Sequence, residues 1–222
     1  MYMDPNTSTD RTRTKVPREY TGKARVLRDA ATDAEAALAA AMNDAAGPAG
    51  KLFIRPNDLF SMKHNLANAI GASPYTWNKQ VRTVKLRQDF IITYETLGAA
   101  TGFRESWDPD IQQSAGLAVR RVTVIGRKRE FFVDTKTVAF VCFHAIARAI
   151  ERTGLDTVDP YKPLIHATGT PGELVNVPFN GLGSWTGGMR EARIRAISRE
   201  DMTQIDEYEE TVFFAQTFLP PR

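Results

Sequence analysis

Side chains that could perform catalysis or bind a metal ion are few and widely spaced in this chain. The three histidines, His64, His144 and His166, do not have metal-ligand spacing. Cys142 is the only cysteine, which excludes an intrachain disulfide and a thiolate metal cluster. The apolar neighbours of Cys142 and His144 indicate a buried thiol and a hydrogen-bonded core histidine. We therefore expect no metal and no cofactor.

Motifs for phosphate binding and nucleophilic catalysis are also missing. No glycine-rich loop is followed by Lys-Ser or Lys-Thr, and no Gly-x-Ser-x-Gly sequence occurs. The glycines within residues 181–188 do not lie between a predicted strand and a predicted helix, as a dinucleotide site requires. We expect a protein without enzymatic activity. An enzyme with a dispersed site is the third alternative.

Basic side chains, in contrast, are concentrated in several segments. The first 25 residues carry six Lys or Arg against three carboxylates, so this segment accounts for the whole net charge of +3. It is also poor in large apolar residues, which predicts a disordered basic arm. A basic arm on a neutral body is typical of a protein that holds a polyanion, although a solubilising tail has the same composition.

Three further basic clusters lie within residues 79–87, 120–129 and 190–199. The aromatic residues interleaved with them are Tyr75, Trp77, Trp107 and Trp185. Together they favour phosphate contacts and base stacking, with RNA rather than DNA as the expected partner. The predicted nucleic-acid-binding residues are Arg11, Arg13, Lys15, Arg18, Lys79, Arg82, Lys85, Arg120, Arg121, Arg127, Lys128, Arg129, Arg190 and Arg193.

Residues 66–77 resemble the turn of a helix-turn-helix motif. Gly71 suits the left-handed turn position, and Ser73 would cap a recognition helix whose early residues, Lys79 among them, face base edges. Trp77 stands where a smaller branched residue is usual. The alternative function is therefore a DNA-binding transcriptional regulator. A plain helix-loop-helix corner has the same pattern.

The elements that must position these side chains are mainly predicted helices. Helices are predicted over residues 34–46, 57–71, 75–97 and 135–153, and a β-hairpin over 119–133. The stretches 98–117 and 155–188 are predicted as loops. The fold class that follows is mainly α, a helical body with one short β-hairpin and a disordered basic N-terminal arm.

Three of these helices rest on specific residues. Thr32 would cap the Ala-rich helix, and Asp134 would cap the most apolar helix of the chain. For the helix over 75–97, the apolar residues recur at i, i+4, i+8 and i+11, which predicts one core-facing stripe. The stripe consists of Leu86, Phe90, Tyr94 and Leu97.

The chain divides into four predicted regions. These are a disordered basic arm (1–25), an Ala-rich helix with its hinge (26–50), a helical core domain (51–199) and an acidic, then apolar, C-terminal tail (200–222). The segment Val212–Leu219 is too apolar to stay exposed, so either a partner or the body of the protein must cover it.

These features predict a self-assembling nucleic-acid-packaging structural protein of the viral coat or nucleocapsid type. Its copies would bind RNA and associate as homo-oligomers through their terminal segments. No run approaches the roughly 18 apolar residues of a membrane span, and the N-terminus lacks the apolar stretch of a secretory signal. The expected location is the virion or host cytoplasm, or the bacterial cytoplasm for the regulator.

Overall fold

Three α-helices, one 3-10 helix and seven β-strands are formed by the residues that the computed structural model describes: 16–46, 56–84, 89–104, 114–127, 130–196 and 208–221. The helices are α1 (Arg18–Ala46), α2 (Pro56–Ala72), α3 (Phe143–Thr153) and the 3-10 helix (Asp159–His166). The strands are β1 (Thr76–Thr83), β2 (Phe90–Arg104), β3 (Ser114–Arg127), β4 (Glu130–Cys142), β5 (Leu174–Phe179), β6 (Gly183–Ala196) and β7 (Tyr208–Leu219).

All seven strands belong to one mixed sheet, in the order β1-β2-β3-β4-β7-β6-β5. β4 and β7 run parallel, and the other neighbouring pairs are antiparallel. β2 pairs a second time, through Ala100–Arg104, with residues Ala192–Ala196 of β6. This extra pairing closes β2, β3, β4, β7 and β6 into a ring, with β1 and β5 attached outside it.

The predicted fold class, a mainly α body with one short hairpin, is wrong. The clearest difference concerns residues 75–97, where β1 and the first half of β2 replace the predicted helix. Phe90 and Tyr94 are buried as predicted, but Ile92 between them is buried too, so the true period is two. The aromatic and β-branched residues of this run pack well on a pleated sheet. Leu86 lies outside the described residues.

Residues 135–153 form a strand followed by a helix instead of one long helix. β4 continues through Cys142, and α3 begins at the next residue. The β-branched residues at the start of this run favour the strand, so Asp134 lies within β4 and caps no helix. The predicted helix end is confirmed, because Gly154 adopts a φ of 70° and its amide donates to the carbonyl of Ile150.

The hairpin predicted over residues 119–133 is present, but its strands are longer than predicted. Residues 98–104 and 114–117, predicted as loop, extend β2 and β3. Gly116 suits a strand here because a Cβ atom at this position would clash with the carbonyl oxygen of Val141 on β4. The predicted loop over 155–188 contains the 3-10 helix, β5 and the start of β6.

The apolar C-terminal segment lies inside the sheet. β7 is inserted between β4 and β6, and Val212, Phe213 and Phe218 are fully buried. The body of the same chain therefore covers this segment. The need to bury it no longer argues for a contact between subunits.

Helix α1 starts earlier than predicted. Residues 18–25, assigned to the disordered arm, form its first turns, and residues 1–15 lie outside the described residues. Thr32 does not cap a helix, since its hydroxyl donates to the carbonyl of Arg28 within α1 at 2.9 Å. The second predicted helix agrees with α2 to within one residue at each end. None of the described helices is long and apolar enough to cross a membrane.

Candidate nucleic-acid interface

Strands β1 to β4 form an antiparallel sheet with one covered face and one open face. On the covered face, α1 and α2 pack against residues that include Phe90, Ile92 and Val124, all with no solvent exposure. Side chains alternate along a strand, so the intervening residues point to the opposite side. We call that side the open face, because most of its side chains are half-buried or exposed, Trp77 and Glu95 being the buried ones.

The cross-strand register orders the open face into three rows. The first row is Arg82, Ile91, Ile125 and Phe132, the second is Gln80, Thr93, Thr123 and Asp134, and the third is Trp77, Glu95, Arg121 and Lys136. Residues that are directly opposite in antiparallel strands lie on the same face within contact distance. The open face therefore has an apolar first row ending in Arg82, a polar second row and a charged third row.

Basic side chains outnumber acidic ones on this face. Arg82, Arg121 and Lys136 are exposed, and Arg127 lies on the same side of β3, two residues beyond Ile125. Arg127 also has an interaction of its own within the protein. In the register Arg127 is opposite Glu130, while the three rows themselves hold three cations and two carboxylates, so their net charge favours an anionic ligand.

Glu95 is one of these two carboxylates, and it organises the third row. Arg121 Nη2 lies 3.6 Å from Glu95 Oε1, and the amide of Asn78 donates to Glu95 Oε2. Asn78 adopts a φ of 52° where the register shifts between Trp77 and Gln80. Half of the Arg121 side chain stays exposed, against 11% of Glu95. Glu95 therefore orients a guanidinium that remains open to a ligand.

Phe132 is the exposed aromatic residue of the open face, with 54% of its surface accessible. The aromatic residues predicted for stacking are less accessible. Trp185 is fully buried and its Nε1 donates to the carbonyl of Pro160 at 2.6 Å, while Trp77 is 9% exposed. Tyr75 is half-buried. The fourth, Trp107, lies outside the described residues.

Arg120, predicted to bind nucleic acid, is buried on the covered face. Its guanidinium donates to the Glu35 carboxylate of α1 and to the carbonyl of Ala99 at 3.3 Å. Gly98 leaves the room for this pair, since a Cβ atom there would clash with both charged groups. Burial raises the pKa of the nearby Tyr94 to about 12, an effect that Glu35 increases and Arg120 opposes. Arg120 thus fastens α1 to the sheet and cannot contact a ligand on the open face.

The other predicted basic residues that the structure describes, apart from Arg127, lie away from the open face. Lys79 points to α2, where its Nζ donates to the carbonyl of Ala67 at 2.8 Å. Arg18 is exposed in the first turn of α1, Arg190 is half-buried on β6, and Arg193 lies further along β6. Six of the predicted basic residues lie outside the described residues: Arg11, Arg13, Lys15, Lys85, Lys128 and Arg129.

The helix-turn-helix interpretation is wrong, because the predicted recognition helix is strand β1. Thr76 marks the change from helix to strand. Its hydroxyl donates to the carbonyl of Ile70 at 2.5 Å and to that of Ser73 at 3.1 Å. Without a second helix, the motif has no element to place in a major groove.

The titratable residues outside the open face form no reactive group among the described residues. His64 and His166 are exposed as expected, but His144 is also exposed, at the start of α3, instead of lying in the core. Burial raises the pKa of the Cys142 thiol, whose Sγ lies 3.6 Å from the carbonyl oxygen of Gln216. No described group of three or more His, Cys, Asp or Glu could hold a metal ion.

The three open-face residues of β4, Phe132, Asp134 and Lys136, were not predicted as binding residues. The predicted hairpin ended at residue 133 and a helix was predicted from 135, which divided them between two elements. The signal that could have found them is their period-two spacing, with Val133 and Thr135 in between.

The open face combines cations, an exposed aromatic ring and a row of hydrogen-bonding side chains. Such a surface can attract anionic groups, stack planar groups on the ring and pair polar edges. Comparisons with models of known protein families, with curated proteins and with solved structures found no match for this chain.

Proposed function

We propose that this protein binds single-stranded nucleic acid on the open face of β1 to β4. The observation that carries the proposal is the register of the three rows, which places Arg82, Arg121 and Lys136 on the same face as the exposed ring of Phe132. These residues come from three strands, β1, β3 and β4, and are spread over 55 positions of the sequence. Phosphates would contact the basic side chains, and a base would stack on Phe132.

The shape of this surface favours a single strand over a duplex. A duplex is read by a helix or a two-stranded ribbon inserted in a groove, and its bases are already stacked on each other. The open face is a four-stranded sheet surface, and the bases of a single strand are free to stack on its aromatic residue. Base stacking of this kind contributes about 1–3 kcal/mol per base.

The topology of the ring supports the same ligand. In chain order the ring strands are β2, β3, β4, β6 and β7, and in space the fifth lies between the third and the fourth. This is the strand order of the five-stranded Greek-key barrel called the OB-fold, which binds oligonucleotides on the face of its second and third strands. Here those strands are β3 and β4, which carry Arg121, Phe132 and Lys136. The likeness concerns topology, so the proposal rests on the residues of the face.

The wider role in packaging, with self-assembly of the viral coat or nucleocapsid type, remains a prediction. Binding along a single strand is compatible with it. The apolar C-terminal segment no longer supports it, since β7 is buried within the same chain. Association of copies would have to use other surfaces.

The proposal is tested by comparing two double variants. One loses two positive charges from the open face, and the other loses two positive charges elsewhere on the protein. We expect Arg82→Gln with Arg121→Gln to weaken binding to labelled single strands, measured by fluorescence anisotropy at several salt concentrations. Each lost contact should reduce the slope of log K against log salt by about 0.7, so the double variant should lose about 1.4. Both DNA and RNA strands, and a duplex of equal length, serve as ligands.

The matched control is Arg28→Gln with Lys162→Gln. Both residues are partly exposed and ion-paired, on α1 and the 3-10 helix, so the overall charge changes equally. The control should retain the wild-type slope. Equal slopes for the two double variants would show that the open face does not bind the strand. Tighter binding of the duplex than of the single strands would also contradict the proposal.

A further inference from the structure

We infer that Asp134 makes the open face select bases with an exocyclic amino group and discriminate against thymine and uracil. This inference rests on the proposed function, because it names the part of the single strand that the carboxylate contacts. Asp134 has no role in binding phosphates, because its carboxylate is negatively charged.

Asp134 lies next to the ring on which a base would stack. It lies on β4 between Phe132 and Lys136, and all three side chains point to the open face at period two. Across the sheet it is opposite Thr123, in the row that continues to Thr93 and Gln80. Its side chain is exposed.

The charge of Asp134 determines which part of the ligand can approach it. A carboxylate repels phosphate, so the backbone of the strand must follow the basic residues of the face, such as Arg82 and Arg121. The other acidic residue of the three rows, Glu95, is already paired with Arg121 and Asn78. No hydrogen bond or ion pair engages Asp134 among the described residues. Its oxygens are therefore available to accept hydrogen bonds from the edge of a base stacked on Phe132.

The chemistry of the base edges then gives the selectivity. An ionised carboxylate only accepts hydrogen bonds. Cytosine, adenine and guanine each present an amino donor, and a carboxylate accepts well from cytosine N4. Thymine and uracil have a carbonyl oxygen in place of the amino group of cytosine, and their N3–H donor lies between two carbonyl oxygens that a carboxylate repels. Guanine offers two adjacent donors, N1–H and the N2 amino group, and should be preferred.

The inference is tested by comparing cytosine and thymine homo-oligomers at slightly alkaline pH. We expect the wild-type protein to bind the cytosine strand about fivefold more tightly than the thymine strand, at the low end of the discrimination of one good base contact. In Asp134→Asn the amide both donates and accepts, so the ratio of the two affinities should fall to about one. The ratio is the readout because the substitution also removes a negative charge and strengthens binding of any strand.

The control variant is Asp159→Asn, which changes an exposed carboxylate on the 3-10 helix that is paired with Lys162. It should keep the wild-type ratio. An unchanged ratio in Asp134→Asn, or a wild-type ratio of one, would overturn the inference while single-strand binding stands. If the wild-type protein binds neither strand, the proposed function fails first and the inference fails with it. Thermal unfolding of each variant confirms that it is folded.

Discussion

The two faces of the β1 to β4 sheet share one backbone but differ in environment. Helices cover one face, and the other is in contact with solvent. On the covered face, Tyr94 and Val122 pack under α1 and α2. On the open face, the residues next to them in sequence, Thr93 and Arg121, keep contact with solvent. The difference follows from the period of two in a β-strand. A cluster of basic residues in a strand sequence is therefore divided between the core and the surface.

Arg120 and Arg121 show this division most clearly. The Arg120 side chain is 5% exposed and paired with Glu35, while the Arg121 side chain is 50% exposed and oriented by Glu95. Removing one partner of a buried ion pair leaves the other charge poorly solvated, which is costly. Removing Arg121 instead leaves Glu95 with the hydrogen bond from the amide of Asn78 and opens space for solvent beside it. The two substitutions should therefore affect different properties of the protein.

The largest expected effect is the loss of stability in Arg120→Met. Glu35 keeps about a third of its exposure, so we expect a loss of about 3 kcal/mol, at the low end for breaking a buried pair. Arg121→Met leaves Glu95, which is 11% exposed, with the hydrogen bond from Asn78, so we expect a smaller loss of about 1 kcal/mol. Urea denaturation of both variants measures the difference. Similar losses in the two variants would mean that the faces are not distinct in this way.

A smaller effect, on binding affinity, is expected when an exposed aromatic residue of the open face is compared with one on α2. Phe132→Ala should weaken single-strand binding about tenfold, because it removes the stacking platform of the open face. Phe60 is similarly exposed at 66%, but it lies on α2, next to Lys63. Phe60→Ala should leave the affinity unchanged in the same anisotropy titration. An equal loss in both variants would indicate a general effect of exposed aromatic residues and would count against the open face.

The sequence allowed the local elements to be predicted better than the sheet. Helix α2 was found because its capping residues and Gly71 mark both ends of a regular period. β2 was missed because Phe90 and Tyr94, four residues apart, fit both a helix and the even positions of a strand. β4 was missed because a short apolar run does not distinguish a strand from a buried helix by periodicity.

The position of β7 could not be predicted, since its parallel pairing with β4 joins segments about 70 residues apart. The candidate site was predicted in part. Arg82, Arg121 and Arg127 were named from their charge alone, and the structure brings them to one face. Arg120 was named for the same reason, and only the pairing register of β3 shows that it faces α1.

Photo-cross-linking of a bound single strand, followed by mass spectrometry of the linked peptide, tests the central claim most directly. The strand is irradiated in complex with the unmodified full-length protein, and the linked residue is located in the sequence. We predict cross-links to Phe132 and to its neighbours on the open face of β3 and β4. Cross-links confined to α1, α2 or the strands β5 to β7 would contradict the claim that this face binds nucleic acid.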